Sequence, residues 1–252
     1  MKPQFLSDKK IAILIAGRLD TFDDVYPSFK KYVIDYFQPD IFFSGYPNKK
    51  GFEYCENKLV ELWNPKKYIL REYTEEVRKE IHPNDEIFNA RKRPETKPNT
   101  WLSGIYNVKI ANDLKKQYEI ENDLKYDICI KVRTDCIWHS YITENEINLA
   151  KIDKNILIPT AWDFKEVHPM GASDVIAISN SDSMNKYASL IDYIDEYFQN
   201  GHTFHPESLV GIHINNLKLN RISISTGNDP FSNIPNQSGW IVIDPNPNRR
   251  QL

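Results

Sequence analysis

Short apolar runs alternate with segments of helical period along the first half of the chain. Residues 10–18 form a continuous aliphatic run that ends at Gly17 and Arg18, a pattern typical of a parallel strand buried on both faces. Helically spaced apolar residues follow, and Pro39 is predicted to end that helix. Residues 40–46 form the next apolar run. The pattern therefore predicts a βαβ unit over residues 10–46.

The alternation continues along the chain, with one interruption. Residues 74–99 are highly charged and aperiodic, which predicts a long excursion from the sheet, as a loop or a partly helical flap. The remaining predicted elements are helices at about 53–62, 101–122 (capped by Asn99 or Thr100), 182–198 and 205–219, strands at 66–73, 126–138, 154–160, 173–180 and 220–226, and an irregular tail from residue 227 with an ordered anchor at 240–243. This order predicts an α/β domain with a mostly parallel central sheet flanked by helices.

Charge and cysteine usage narrow the function classes. The chain has 32 Lys and Arg against 35 Asp and Glu, a formal net charge of −3, whereas proteins that grip nucleic acid usually have a basic excess. We therefore predict no nucleic-acid partner. Cys55, Cys129 and Cys136 show no C-x-x-C spacing, which argues against a zinc ribbon or a disulfide framework.

The same sequence shows no targeting or membrane signal. The first ten residues lack the apolar core of a signal peptide, and no apolar run is long enough to span a bilayer. We therefore predict a protein with no transmembrane segment in the cytoplasm, or in the host cytoplasm if the source is viral.

In sheets of this kind, ligands bind beyond the carboxyl ends of the strands. The first strand ends in Gly17 and Arg18 without the G-x-G-x-x-G fingerprint or a P-loop, so a dehydrogenase or a P-loop kinase is poorly supported. The planar guanidinium of Arg18 suits a phosphate or a nucleobase. The alternative is an exposed ion pair with Asp20 or Asp23.

The stretch YDICIKVRTDCIW (126–138) is an apolar strand with a charged exit. Strand alternation places Lys131, Arg133 and Asp135 on one face. A carboxylate there can hold a divalent cation, and the neighbouring arginine can take a phosphate oxygen. The alternative is an Arg133–Asp135 ion pair that closes the sheet edge.

Four stretches together resemble a group of viral and bacterial glycosyltransferases with the GT-A fold. They are IAILIAGRLDTF at the start, YDICIKVRTDCIW after YEIENDLKYD (118–127), HPMGASDVIAISN (168–180) and HPESLVGIHI (205–214). In that group an Arg-x-Asp element replaces the better-known Asp-x-Asp, which this chain lacks. The likeness spans roughly residues 10–215, in the expected order.

The resemblance implies a nucleotide-diphosphate sugar donor, a glycan or glycoconjugate acceptor, and Mn²⁺ or Mg²⁺ at the diphosphate. Asp135 would be a metal ligand and Arg133 a donor-binding cation, with Gly17 and Arg18 near the nucleotide. It also divides the single domain into a nucleotide-sugar-binding half (10–138), an acceptor-side half (139–226) and an irregular C-terminal tail (227–252). The missing Asp-x-Asp leaves open how far Arg133 replaces the metal.

Two further segments supply candidates for the chemistry. Asp174 is a candidate catalytic residue that would act on the sugar or on the acceptor hydroxyl, and Glu207 is a second candidate base. His205 is a candidate metal or phosphate ligand, ahead of His202 and His213. Each also has a structural interpretation, as a turn aspartate or as residues that start a helix. Tyr46, Trp138 and Trp162 are cleft or core aromatics.

The resemblance implies an enzyme, a hexosyl- or deoxyhexosyltransferase. The alternative from another class is a non-catalytic nucleotide-sugar or carbohydrate-binding domain. A nucleotidyltransferase is third, because it needs paired carboxylates on adjacent strands that the sequence does not show.

Overall fold

The structure is a computed structural model that describes residues 2–82, 84, 98–159, 171–202, 205–224 and 241–243. Within these ranges the chain forms nine strands. They are β1 (Ile11–Arg18), β2 (Asp40–Tyr46), β3 (Lys67–Leu70), β4 (Ile128–Arg133), β5 (Cys136–Trp138), β6 (Asn155–Pro159), β7 (Ile176–Ser179), β8 (Asn220–Ile224) and β9 (Ile241–Ile243).

Seven of these strands form the central sheet, in the order β3-β2-β1-β4-β7-β6-β8. The pairs β3–β2, β2–β1, β1–β4 and β6–β8 are parallel. Only β7 runs against its neighbours β4 and β6 in this sheet. The prediction of an α/β fold with a mostly parallel central sheet flanked by helices is confirmed.

Helices cover both faces of the sheet. They are α1 (Phe22–Phe29), α2 (Phe52–Trp63), α3 (Glu75–Ile81), α4 (Pro98–Glu121), α5 (Glu144–Lys151), α6 (Ser181–Tyr187), α7 (Ile194–Gln199) and α8 (Pro206–Asn216), with short 3₁₀ turns at Gln4–Leu6 and Ala188–Tyr193. A π-helical turn (Lys30–Ile34) and a helical turn (Asp35–Phe37) extend α1. None of the described helices has the length and apolarity to cross a membrane.

The strand sequences divide the core into two layers. Along β1, Ile11, Ile13 and Ile15 pack on one face of the sheet, and Ala12, Leu14 and Ala16 pack on the other. All six are buried, as the continuous aliphatic run predicts for a strand covered on both sides. The strand is therefore held in the core by its apolar residues, and its polar residue lies at the carboxyl end, outside the core.

The ends of the first two helical segments follow from local sequence. Gln38 (φ 48°) and Asn64 (φ 43°) are both left-handed, and each precedes a proline that cannot continue the helix. The chain then enters β2 and β3.

The structure corrects three predicted elements. Residues 126–138 form not one strand but β4 and β5, separated by a turn at Thr134 and Asp135. The single helix expected over 182–198 is α6, a 3₁₀ turn and α7. The long helix begins at Pro98, so Asn99 and Thr100 lie inside it and do not cap it.

The regions that sequence analysis left irregular are partly ordered. Helix α3 occupies residues 75–81 of the charged excursion, and positions 83 and 85–97 lie outside the described residues. In the tail, the anchor predicted at 240–243 corresponds to β9, which pairs antiparallel with β5 in a second, two-stranded sheet. The division into donor-side and acceptor-side halves stays a prediction. Both halves contribute strands to the same sheet.

Candidate functional site

One edge of the sheet collects most of the predicted site residues. Arg18 and Arg133 end the parallel strands β1 and β4. Asp174 lies two residues before β7, and because β7 is antiparallel to β4, its start lies at this same edge. In open α/β sheets this carboxyl edge is where ligands bind.

At this edge Arg133 and Asp135 form a bidentate ion pair. Arg133 Nε lies 2.9 Å from Asp135 Oδ1, and Arg133 Nη2 lies 2.6 Å from Oδ2. The remaining terminal nitrogen, Nη1, lies 3.6 Å from Asp174 Oδ1. The three side chains keep 37%, 27% and 20% of their surface exposed, so the group is half-buried and still reached by solvent. The ion pair considered as an alternative is present, and Asp174 extends it.

Sequence reasoning missed the role of Lys131. It was predicted to share a face with Arg133, but its side chain is buried and its ammonium group donates to the backbone carbonyl of Asp174. This contact ties β4 to the segment before β7. We refer to Lys131, Arg133, Asp135 and Asp174 as the Arg133 cluster.

Burial and charge act against each other on the ionisable groups of this cluster. Burial lowers the pKa of Lys131, the negative charge of Asp174 opposes that effect, and the positive charge of Arg133 adds to it. Burial also disfavours the charged forms of Arg133 and Asp135, but their mutual attraction outweighs it, which raises the pKa of Arg133 and lowers that of Asp135. Two cations thus face two carboxylates, with no net formal charge.

Thr134, which sequence analysis left without a role, connects the cluster to the end of β1. Its hydroxyl donates to the Arg18 carbonyl at 2.6 Å, and its own carbonyl accepts from the Thr21 hydroxyl at 3.3 Å. Gly17 has φ 135°, and a Cβ there would lie 3.0 Å from Thr134 Oγ1. Glycine therefore allows β1 to approach the turn that holds Asp135.

The Arg18 side chain points to a local partner. Its Nη2 lies 3.1 Å from Asp20 Oδ1, and both side chains are half-exposed. Asp23 instead contacts Lys50 and Tyr54. Arg18 therefore has one of the two partners considered from sequence, and its contact with a nucleotide stays a prediction.

The start of α8 places His205 and Glu207 beside the Asp174 segment. His205 Nδ1 lies 3.4 Å from a carboxylate oxygen of Glu207, and the Glu207 carbonyl accepts from the Ala172 amide at 2.9 Å. Ala172 precedes Asp174 by two residues. The described residues contain no group of three His, Cys, Asp or Glu side chains arranged to hold a metal ion, so Asp135 and His205 belong to no such set.

The aromatic candidates have different surroundings. Trp138 is buried in the core against Phe29, and Tyr46 is buried with its ring edge-on to Tyr73. Of the two alternatives considered from sequence, Trp138 therefore has the core position. Trp162 lies outside the described residues.

A depression of about 580 Å³ lies at the opposite edge of the sheet. It is lined by residues around the amino ends of β2 and β3, among them Asp40, Trp63 and Lys66. It contains none of the predicted site residues.

Comparison with known proteins adds one similarity of structure. No family model and no curated protein matches the sequence. Among solved structures, the chain is similar to the apo crystal structure of mouse xyloside xylosyltransferase 1. The TM-score is 0.49 at 12% sequence identity, over 86% of this chain and 85% of that one.

Proposed function

We propose that this chain is a glycosyltransferase that moves a sugar from a nucleotide-diphosphate sugar to a glycan acceptor with the help of a divalent metal. The observation that carries the proposal is the Arg133 cluster, which joins an arginine and two half-buried carboxylates at the carboxyl edge of a mostly parallel sheet. The resemblance of four sequence stretches to GT-A enzymes supplies the sugar and the diphosphate. Residence in the cytoplasm is part of the proposal and rests on sequence alone.

The charge balance of the cluster supports the participation of a metal ion. A diphosphate that approaches two carboxylates and two cations meets no net formal attraction. A divalent cation held by Asp135, with Asp174 beside it, supplies the missing positive charge.

The donor set suits a hard cation. Mg²⁺ typically binds through one or two carboxylates plus substrate phosphates and water, so a protein-only set of three ligands is not required. An ion held by Asp135 would act as a Lewis acid toward the negative charge of the leaving diphosphate. His205 stays a predicted ligand of the metal or the phosphate.

The chain's own residues have distinct proposed roles. Arg133, fixed by Asp135, presents a positive charge to the departing diphosphate. Lys131 positions Asp174 through the backbone carbonyl. Asp174 and Glu207 are the candidates that accept the proton of the acceptor hydroxyl, a role that requires hydrogen-bond reach of that hydroxyl.

A non-catalytic nucleotide-sugar-binding domain is the second candidate. It is favoured by the bidentate Arg133–Asp135 pair, in which both partners are already engaged with each other. Transfer activity decides between the two.

Binding is tested first, by thermal unfolding with a panel of nucleoside diphosphates, with and without Mn²⁺. A ligand at 100 times its Kd stabilises the folded state by about 2.7 kcal/mol. We expect such a shift for at least one nucleotide, dependent on Mn²⁺ and lost in Asp135→Asn. The matched control is Asp182→Asn, which changes an exposed carboxylate paired with Lys125. No shift with any nucleotide would refute the proposal.

Transfer is tested second, with the sugar form of the best-binding nucleotide. Release of the nucleoside diphosphate that depends on an acceptor establishes the enzyme. Binding without release identifies the non-catalytic domain. We expect Asp174→Asn or Glu207→Gln to reduce turnover more than donor binding. If both variants keep full turnover, the assignment of the base is wrong.

A further inference from the structure

A second group of polar side chains lies at the carboxyl edge, at the ends of β2 and β3. Tyr46 is the last residue of β2, and Arg71 directly follows β3. The Arg71 amide donates to the Gly45 carbonyl at 3.2 Å, which holds the two strand ends together. Neither residue belongs to the Arg133 cluster.

The guanidinium of Arg71 is only half satisfied. Its Nη1 donates to both carboxylate oxygens of Glu80, at 3.1 and 3.0 Å, and its plane lies over the Tyr106 ring, 5.2 Å from the centroid. Its Nε and Nη2 are buried and have no hydrogen-bond partner among the described residues. These two nitrogens form the edge with which arginine binds an oxyanion in bidentate fashion.

The hydroxyl of Tyr46 is unpaired in the same way. Tyr46 is 3% exposed, and its Oη has no hydrogen-bond partner in the described part of the chain. Tyr46 and Arg71 directly follow Gly45 and Leu70, which are paired in register, so the two residues lie side by side at adjacent strand ends. Burial raises the pKa of Tyr46, while Asn107 and the charge of Arg71 oppose that rise.

The neighbouring polar groups do not supply an acceptor. Asn107 accepts from the Ser44 hydroxyl at 2.6 Å through Oδ1 and donates to the Ser103 carbonyl at 2.7 Å through its amide nitrogen. The Arg71–Glu80 ion pair thus leaves donor hydrogens on three buried atoms, Arg71 Nε, Arg71 Nη2 and Tyr46 Oη. Native structures rarely leave such groups unsatisfied, so a missing acceptor is the physical explanation.

We propose that Arg71 and Tyr46 form a second anion site, which binds a phosphate or carboxylate group of a ligand. Two oxygens of the oxyanion accept from Arg71 Nε and Nη2, and Tyr46 Oη donates to one of the oxygens. The site lies close to the surface, because the Arg71 side chain is 25% exposed and the Tyr73 ring, which packs edge-on against Tyr46, is itself exposed. An anion would enter beside the Tyr73 ring.

This site and the Arg133 cluster are too far apart to share one anionic group. In the strand order β3-β2-β1-β4, Arg71 lies three strand steps from Arg133 and Tyr46 lies two, or about 14 Å and about 10 Å at the usual strand spacing. A single molecule that occupies both sites needs two groups about 10 Å or more apart. Otherwise the second site binds a separate anion.

The experiment titrates inorganic phosphate, and acetate as a carboxylate probe, into the full-length protein by calorimetry. We expect saturable binding of at least one probe. Tyr46→Phe should weaken it about tenfold, the effect of one lost hydrogen bond to a charged group. Arg71→Lys should weaken it further, because lysine cannot bind in bidentate fashion. The matched control is Tyr126→Phe, which removes a hydroxyl paired with Asp40 at 2.7 Å near the opposite edge.

Three results would overturn the inference. They are no binding of either probe by the wild type, unchanged binding in Tyr46→Phe, and loss of the same binding in Asp135→Asn, which would place the anion at the Arg133 cluster. In the first case an internal water satisfies the donors. Tyr46→Phe keeps the inference testable if Arg71→Lys does not fold.

A competition arm identifies the source of the anion. If a nucleoside diphosphate displaces phosphate, the site binds one end of the donor. If both bind together, the site binds a separate anion. Either outcome supports an anion site, and neither requires transfer activity, so failure here is distinguishable from failure of the proposed function.

Discussion

The coupling energy of the Arg133–Asp135 ion pair should depend on its burial more than on the distance between its atoms. The perturbation is a double-mutant cycle with Asp135→Asn, Arg133→Met and the double variant. Removing either partner breaks a bidentate contact of 2.6 and 2.9 Å. The cycle isolates the energy of the pair from the other effects of each substitution.

The exposure of the two side chains sets the expected magnitude. Exposed pairs contribute about 0.2–1 kcal/mol, and breaking a buried pair costs about 3–5 kcal/mol. At 37% and 27% exposure this pair lies between the two limits. Asp174, 3.6 Å from Arg133, retains part of the attraction in Asp135→Asn. We therefore expect a coupling energy of about 1–3 kcal/mol.

The assay is urea unfolding at pH 7, with the Lys125–Asp182 pair as the control. That pair is 2.5 Å apart, but its side chains are 61% and 57% exposed, so its coupling should stay below about 0.5 kcal/mol. Equal coupling energies for the two pairs would refute the reasoning, because distance alone would then account for both.

The pH dependence gives an independent check of the same pair. Because Arg133 lowers the pKa of Asp135 in the folded state, the unfolded chain takes up this proton first as the pH falls. The contribution of Asp135 is therefore fully present above the ordinary aspartate pKa of about 4 and is lost as the pH falls below it. A coupling energy that stays constant down to pH 3 would contradict this assignment.

Four other substitutions have defined outcomes, each measured by urea unfolding. Gly45→Ala places a Cβ 1.8 Å from the Gly17 carbonyl oxygen, so it should destabilise the fold by about 1–3 kcal/mol. Gly104 lies in α4 with open space at its Cβ position, so Gly104→Ala should stabilise the fold by about 0.5–1 kcal/mol. Burial lowers the pKa of His213 to about 4 from 6.5, so the unfolded chain binds this proton first as the pH falls. The free energy of unfolding of the wild type should therefore decrease by up to about 3 kcal/mol between pH 6.5 and 4, and that of His213→Gln should not show this decrease. Lys115 is fully buried beside the largely buried carboxylate of Glu119 on the same helix, so Lys115→Met should destabilise the fold by about 3 kcal/mol. A loss of less than about 0.5 kcal/mol would show that other partners are sufficient for the Glu119 carboxylate.

The parts of the fold predicted correctly are those in which local pattern and tertiary environment agree. The run over β1 is aliphatic at every position up to Gly17, and the structure buries it on both faces. Strand β2 matches its predicted bounds, 40–46, because Pro39 precedes it and apolar residues fill it. In both cases short-range signals are sufficient.

The errors occur where long-range contacts decide. Apolar residues continue through Cys136 and Trp138, so nothing local predicts the turn at Thr134 and Asp135. The turn is fixed by the Thr134 hydroxyl, which bonds to the Arg18 carbonyl 116 residues away in sequence. The 3₁₀ turn at Ala188–Tyr193 has the same apolar spacing as a continuous helix and is likewise invisible to periodicity.

The candidate site shows the same limit. Alternation along the strand placed Arg133 and Asp135 near each other, and the structure pairs them. Asp174 and Lys131 were separately conspicuous in sequence, but their contact depends on the antiparallel pairing of β7 with β4. The sequence does not predict that Arg71 Nε and Nη2 lack an acceptor, because this property depends on which residues surround them in the fold.

Whether Asp135 holds a metal ion can be tested by whether Asp135→Asn strengthens or weakens nucleotide binding with and without Mn²⁺. Asp135→Asn removes a negative charge next to the proposed diphosphate position. Without metal, the variant should bind a nucleoside diphosphate about fivefold more tightly than the wild type, since about 1 kcal/mol of repulsion is lost. With Mn²⁺ the order should reverse, because the same substitution removes a metal ligand. If Asp135 only orients Arg133, the substitution weakens binding in both buffers. If Asp135 only repels the ligand, binding tightens in both. Only a change of sign between the two buffers agrees with a carboxylate that holds a cation against the donor.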